Sequence, residues 1–332
     1  MTTLGICIPT YKRPDFLRRC VESAIESAAG RPIRVFVADD SLTDVNRPVL
    51  DALCAAYSFV HVHRNERNLG IDANIQHVVD LCDCDYAWLI GEDDLFLPGA
   101  VAAMHDRLQG RDDPFVFSNY QWVTEDHATV LGVASPGAVD GERAAADFIP
   151  ELLASIGFIG AVLVQRAAWG RTDAAPYLGT YFAHVGRIVD MLAARPVVQI
   201  SAAPSVANRS QGEDTFTWKK DSFGVFLGFE RMCRIAAERG PALAGALQDA
   251  AVNYRREHAY LSLKSTFRLR SQGAFDLRQF RVYIAPATTI EPWRKAWLLL
   301  LALAPRLLLR PFARAYVALV ARRRQGAASV VC

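Results

Sequence analysis

The run Gly91-Glu92-Asp93-Asp94 follows directly on the apolar residues 86–90, so three carboxylates emerge where a buried strand should end. Open α/β sheets bind their ligands at the carboxyl ends of their strands. Three adjacent carboxylates repel one another and are costly to leave unpaired in a cleft. A divalent cation bridging to a diphosphate relieves that repulsion, because Mg²⁺ takes one or two carboxylates together with phosphate oxygens. The plainer alternative is an acidic turn ahead of a helix that starts near Pro98.

Other predicted strand ends carry side chains of related use. After the first come Pro9-Thr10-Tyr11-Lys12-Arg13, an aromatic that can stack on a base and cations that can meet phosphate. After the second come Asp39 and Asp40, which can accept hydrogen bonds from a base or ribose. Asn68, Gly70 and Asn74 follow the third, where glycine allows close backbone approach. Each group alone is weak, since Asp-Asp-Ser is usually a turn and Asn-Leu-Gly a helix entry. Their shared position at strand ends gives them weight together.

The elements that must hold these residues alternate. Short apolar runs at 4–8, 33–38, 60–63, 86–90 and 115–118 read as strands. Phe16, Leu17, Cys20, Val21, Ala24 and Ile25 recur at helical spacing behind Pro14, which suits a first turn. Ile71, Ile75, Val78, Val79 and Cys82 mark another helix. This alternation predicts a mostly parallel sheet with helices on both faces. Beyond residue 120 the rhythm loosens: a hairpin over 121–133, a helix near 142–155, a strand at 161–165 and a helix near 182–194 are expected. Residues 209–218 read as a polar loop, in which Arg209 and Trp218 suit a lid. The expected division is 1–120, 121–225 and a helical 226–332.

At 332 residues the chain can bury a sizeable core, and a net charge of only +2 makes no case for nucleic acid. The seven cysteines stand at scattered spacings, and most lie in apolar segments, as buried thiols of a reducing compartment would. Cys82-Asp83-Cys84 has no second Cys/His pair at zinc spacing. The N-terminus enters a strand at once, without the pattern of a secretory signal.

The C-terminal stretch differs. From Trp293 to Cys332 there are eight Lys or Arg and no acid. Residues 296–304 are too few to span a bilayer, which takes about 20 apolar residues. Arg306, Arg310 and Arg314 stand four apart beyond Pro305, with apolar residues between them. That pattern, over about 293–324, predicts a basic amphipathic helix lying on a membrane surface; the alternative is a terminal helix packed on the domain.

Taken together, these residues resemble the family 2 glycosyltransferases of the GT-A fold. Pro9-Thr10-Tyr11-Lys12-Arg13 matches the family's P-x-Y-N/K-R, and 39–44 its Asp-Asp-Ser-x-x-Asp turn. Asn68-Leu69-Gly70 and Asn74 approximate its N-x-G-x-x-x-A-x-N. Gly91-Glu92-Asp93-Asp94 with Pro98 matches D-x-D-D followed by proline. The resemblance covers about residues 3–120. One departure is Gly91 where the family has its first Asp, with Glu92 displaced by one position. The narrower pattern, with Phe158-Ile159-Gly160 and residues 179–184, is similar to the abequosyl-type deoxyhexosyl transferases of bacterial surface polysaccharide assembly.

The resemblance implies an inverting, metal-dependent transfer of a sugar from a nucleotide-diphosphate donor to a glycan or polyprenyl-linked acceptor. It implies Pro9, Thr10, Tyr11, Arg13, Asp39, Asp40, Asn68, Gly70, Asn74, Gly91, Glu92 and Asp93 at the donor, and Asp93 with Asp94 at Mn²⁺ or Mg²⁺. His184 is the candidate base, with Asp190 and Asp214 as alternatives, and a packed helix-lining role is the plain reading of His184. A cytoplasmic enzyme held at the inner face of the cell membrane is expected. The competing readings are a nucleotidyltransferase, whose glycine-rich first loop is missing here, and a scaffold that binds a nucleotide sugar without turnover. The base on the donor, the sugar, the linkage and the oligomeric state are left open.

Overall fold

The computed structural model of the protein describes residues 1–209, 222–287, 290–306 and 309. Of these, the residues within Met1–Phe216 and Phe229–Asn253 form one compact unit, and those within Thr217–Gly228 and Tyr254–Cys332 a second.

The first unit opens with β1 (Leu4–Thr10), α1 (Pro14–Ala28), β2 (Ile33–Asp39), α2 (Arg47–Ala56), β3 (Val60–Arg64), α3 (Ile71–Leu81) and β4 (Tyr86–Leu89). The strands run parallel in the order β3-β2-β1-β4. Leu4, Ile6, Cys7 and Ile8 are all buried, which is why β1 reads as a continuous apolar run with no polar alternation. Pro14 opens α1, and Leu17, Cys20, Val21, Ala24 and Ala28 form its buried stripe. Strand order reverses between β1 and β4. That reversal is a topological switch point, where a doubly wound sheet leaves a crevice beyond its strand ends.

There follow β5 (Leu95–Phe96), α4 (Ala100–Arg107), β6 (Phe115–Val123), β7 (Val130–Val133), β8 (Gly141–Ala144), α5 (Ala145–Leu152), β9 (Val162–Gln165), α6 (Arg166–Trp169), α7 (Ala183–Ala194) and β10 (Val197–Arg209). The sheet continues from β4 through antiparallel β9 to β6, then through β10, parallel to β6, to β5. The expected strand at 115–118 and the first arm of the expected hairpin are one strand, β6, paired with β7. The helix expected from 142 begins only at Ala145, because Gly141–Ala144 pairs with β10.

Helices α8 (Ser222–Arg239) and α9 (Ala244–His258) come next, then α10 (Leu263–Gln272), α11 (Leu277–Gln279) and α12 (Pro292–Leu303). Within the second unit Phe226 stacks on Tyr260 with centroids 4.8 Å apart, and the Arg270 guanidinium donates to the carbonyls of Ala304 and Phe275. Helix α12 buries Leu298, Leu301 and Ala302 and leaves Trp293, Trp297, Leu300 and Leu303 exposed. Arg310 and Arg314 of the expected basic segment lie outside the described residues. No described helix is long and apolar enough to cross a membrane.

Candidate active site

The site is built where β1 and β4 end. The Ile90 N–H still donates to the Cys7 carbonyl at 3.1 Å, so the two strands stay together until Gly91. Glu92 is buried and turns back onto β1: its carboxylate accepts the Thr10 hydroxyl and, at 3.0 Å, the Tyr11 N–H. Burial pushes the Glu92 carboxyl up to about 8, against the opposing pull of those donors. Arg13 then bridges to the next acid, with Nη1 2.9 Å from Asp93 Oδ2 and Nε 3.7 Å from Glu92 Oε1. On the other side Arg209 Nη1 lies 4.0 Å from the same Asp93 oxygen. Asp93, with a fifth of its side chain exposed, therefore sits between two guanidiniums at the mouth of the crevice.

Asp94 has a different task from the one expected. Its Oδ1 accepts the Arg209 N–H at 2.9 Å and the Asn208 amide at 3.2 Å, and the residue is buried. Burial and the neighbouring Asp93 push its carboxyl well above the usual range. The Asp94 Oδ1 thus fastens the end of β10 beneath the acidic loop. The same packing accounts for Gly91. A Cβ there would come within 2.7 Å of Asp94 Oδ2, while Asp94 is held through its Oδ1 by partners on β10. A side chain at 91 would require this carboxylate to shift, and Glu92 has gone to β1 instead of pointing into the crevice.

At the end of β2 the two aspartates divide their work. Asp39 is fully buried; its Oδ1 accepts from Ser41 N and Asn46 Nδ2, both at 3.0 Å. Its Oδ2 has no hydrogen-bond partner among the described residues, although Arg64 Nε lies 3.7 Å away. Asp40 turns inward and accepts from Asn65 Nδ2 at 2.9 Å, Leu69 N at 2.7 Å and Gly70 N at 3.0 Å. Gly70 has φ +77°, a conformation that favours glycine. Asn68 donates to the Asp40 carbonyl, and Asn74 ties Asn65 to the Ala38 carbonyl. Asp40 and Asn74, expected at the nucleotide, are therefore committed to folding the loop around Gly70. Asn46 reaches Thr10, Asp39 and Ser41, and Ser41 Oγ accepts the Lys12 N–H at 2.7 Å.

The candidate bases lie elsewhere. His184 is 1% exposed, with Nε2 3.0 Å from the Ile156 carbonyl, as a packed helix-lining residue would be. Asp190 receives the Tyr177 hydroxyl at 2.7 Å and the Arg239 guanidinium at 3.1 Å. It lines a cavity of about 430 Å³ with Asp112, Pro114 and Gln165. Pro114 precedes β6 and Gln165, at the end of antiparallel β9, pairs with Tyr86 at the start of β4, so this cavity is at the opposite strand ends from Asp93. Asp214 and Trp218 lie outside the described residues.

Burial pushes the His184 ring down to about 4. Stability from its neutral form is complete above the ordinary histidine value near 6.5 and is lost as the pH falls through 4. His184→Gln should therefore remove about 2–3 kcal/mol of the wild-type loss in unfolding free energy between pH 7 and 4.5. A variant with the wild-type slope in urea titrations would contradict this assignment.

Sequence reasoning missed several residues that shape the site. Asn46 and Asn208 are buried or nearly so and act through side-chain contacts that no spacing announces, and Arg209, expected in a polar loop, lies 4.0 Å from Asp93. Asp72 on α3 accepts the N–H groups of Gly179, Tyr181 and Ala183, placing a carboxylate at the start of α7. His127, in the turn between β6 and β7, lies in the electrostatic field of Asp93 and Arg209.

Residues 5–134 match the family model described as Glycosyl transferase family 2. Abequosyltransferase RfbV of Salmonella typhimurium is 25% identical over 195 residues, which are 55% of this chain and 59% of that protein. The match thus spans less than two thirds of the relative's length. Among solved structures, S. aureus TarS 1-349 in complex with UDP-GlcNAc is similar with a TM-score of 0.58 at 11% identity, over 98% of this chain and 92% of that one. The mannosyltransferase PcManGT from Pyrobaculum calidifontis, in complex with GDP-Man and Mn2+, has a TM-score of 0.53 at 13% identity, over 93% and 86%. At these identities the solved structures speak for the fold.

Proposed function

We propose, since residues 5–134 match glycosyl transferase family 2 and the chain has the GT-A fold, that it moves a sugar from a nucleoside-diphosphate donor to a glycan or lipid-linked acceptor in cell-surface polysaccharide synthesis. One juxtaposition carries the reading. Tyr11, Arg13, Asp39 and Asp93 come from three strand ends to one switch-point crevice, and these are the side chains a nucleoside diphosphate needs. The Tyr11 ring is 40% exposed and offers a face to a base. Asp39 Oδ2 is a buried acceptor still without a hydrogen bond, which a base or ribose donor would satisfy. Arg13 offers a planar fork for phosphate oxygens.

The residues also fit a divalent cation, Mn²⁺ or Mg²⁺, at Asp93. That carboxylate is partly exposed and meets mobile side-chain charge, whereas Asp94 and Glu92 are buried on backbone donors. When bound, the ion supplies Lewis-acid neutralisation of the departing diphosphate. Asp94 keeps Asn208 and Arg209 in place beside it, and Glu92 holds the Thr10–Arg13 loop against β4. The PcManGT complex with Mn2+ supports a metal, and the likeness to an abequosyltransferase supports a deoxyhexose as the sugar. A panel of nucleotide sugars, assayed for donor hydrolysis and transfer with either metal, tests the reading. Nucleotide binding without turnover of any donor would favour a scaffold.

The second unit supports a working position at the inner face of the cell membrane. Trp293, Trp297, Leu300 and Leu303 recur along α12 as an exposed apolar stripe, with Arg294 and Lys295 beside it. Changing Trp293 and Trp297 together to serine should weaken binding to anionic vesicles at least about tenfold. Unchanged co-sedimentation would remove this part of the reading.

A further inference from the structure

We propose that Arg13 is a resident counter-cation for Asp93, closing that carboxylate to a bare metal ion and releasing it when a diphosphate takes up the guanidinium. The inference rests on the crevice assigned above and deepens it, because it makes metal and diphosphate binding mutually dependent.

Two guanidiniums face Asp93 Oδ2, and they differ in how deeply they are buried. Arg209 has 4% of its side chain exposed, donates Nη2 to Glu125 at 2.7 Å and Nε to the Glu125 carbonyl at 3.0 Å, and stacks over the Phe16 ring at 4.4 Å. Arg13 has 22% of its side chain exposed and reaches Asp93 through Nη1 at 2.9 Å. Its backbone is anchored while its side chain is at the crevice mouth. The preceding amides of Tyr11 and Lys12 are held by Glu92 and Ser41, and its own carbonyl accepts the Leu17 N–H. The loop backbone is therefore held independently of where the Arg13 guanidinium points.

A bare cation approaching Asp93 meets the positive charge already paired with its Oδ2 and competes with a charge-assisted hydrogen bond. A diphosphate reverses the balance. It gives Arg13 oxygens that suit the planar fork better than one carboxylate oxygen does, and it adds negative charge beside Asp93. Reciprocity follows: whatever factor the diphosphate adds to metal affinity, the metal adds to diphosphate affinity.

The test is a Mn²⁺ titration of the full chain followed by electron paramagnetic resonance of the free ion, with and without inorganic pyrophosphate. Arg13→Gln should bind Mn²⁺ alone at least about tenfold more tightly than wild type. Arg13→Met, which keeps the stem beside Phe16, should do the same, while Arg13→Lys stays near wild type. Pyrophosphate should raise Mn²⁺ affinity strongly in wild type and several-fold less in Arg13→Gln. Adding Asp93→Asn to Arg13→Gln should abolish the gain, which locates the ion. Equal or weaker Mn²⁺ binding by both neutral variants overturns the proposal, and so does an undiminished pyrophosphate effect. The titration needs no donor sugar, so failure of every donor in the transfer assay would sink the proposed function and leave this result to stand or fall separately.

Discussion

Asp93→Ala should lower sugar transfer at least about a hundredfold while the protein stays folded, the scale on which one preorganised electrostatic contributor acts. The carboxylate is a fifth exposed and its partners are side chains, Arg13 and Arg209, so its loss leaves no buried backbone group unpaired. Arg13 still has Glu92 within 3.7 Å and Arg209 still has Glu125 at 2.7 Å. Thermal unfolding should therefore move little, and the loss should fall on kcat. Asp94→Ala is the informative contrast. It removes the acceptor of the Arg209 N–H from a buried position, so its first effect should be on stability. Transfer by Asp93→Ala at near wild-type rate with added Mn²⁺ would show that the reacting diphosphate lies elsewhere.

The neighbouring residues mark what could be read from sequence. Strands β1 to β4 announce themselves as short apolar runs and helices α1 and α3 as periodic apolar stripes, and the acids at 92–94 follow from where β4 must end. Strand β10 escaped notice for a physical reason. Pro204 and the polar residues around it break the apolar run, and the pairing with β6 shifts register between Ser201 and Val206. Proline is tolerated at such irregularities, so a strand survives where its pattern does not. Side-chain direction was the other missing information. Asp39 and Asp40 are adjacent and identical, yet one keeps an unpaired oxygen and the other spends its carboxylate on Leu69 and Gly70. His184 and Asp190 stand on a helix expected near the chemistry; the first is buried, and the second lines a cavity at the opposite strand ends from Asp93. Gly91 stands where the family has an acid, and a Cβ there would press on the Asp94 carboxylate beneath it.

Asp40→Ala should cost about 2–4 kcal/mol of stability, the second large effect, since the change strands three donors together. Leu69 N and Gly70 N lie in a turn with no other acceptor assigned to them, and Asn65 Nδ2 keeps only Asn74. Such a loss is a sizeable fraction of the 5–15 kcal/mol that holds a typical domain together. Asp40→Asn retains one carbonyl acceptor in the same place and should recover part of it. The consequence reaches the crevice through the chain itself. The Asn65–Gly70 loop follows β3 directly, and its Asn65 N–H donates to the Asp39 carbonyl at 2.9 Å, so loosening it disturbs the neighbouring acid that keeps a free oxygen. Nucleotide affinity should fall in Asp40→Ala even though its carboxylate faces away from the crevice. Urea unfolding within about 0.5 kcal/mol of wild type would mean that the carboxylate is not the fastening of this loop. A stable variant with lost nucleotide binding would return Asp40 to the ligand, where the sequence alone had put it.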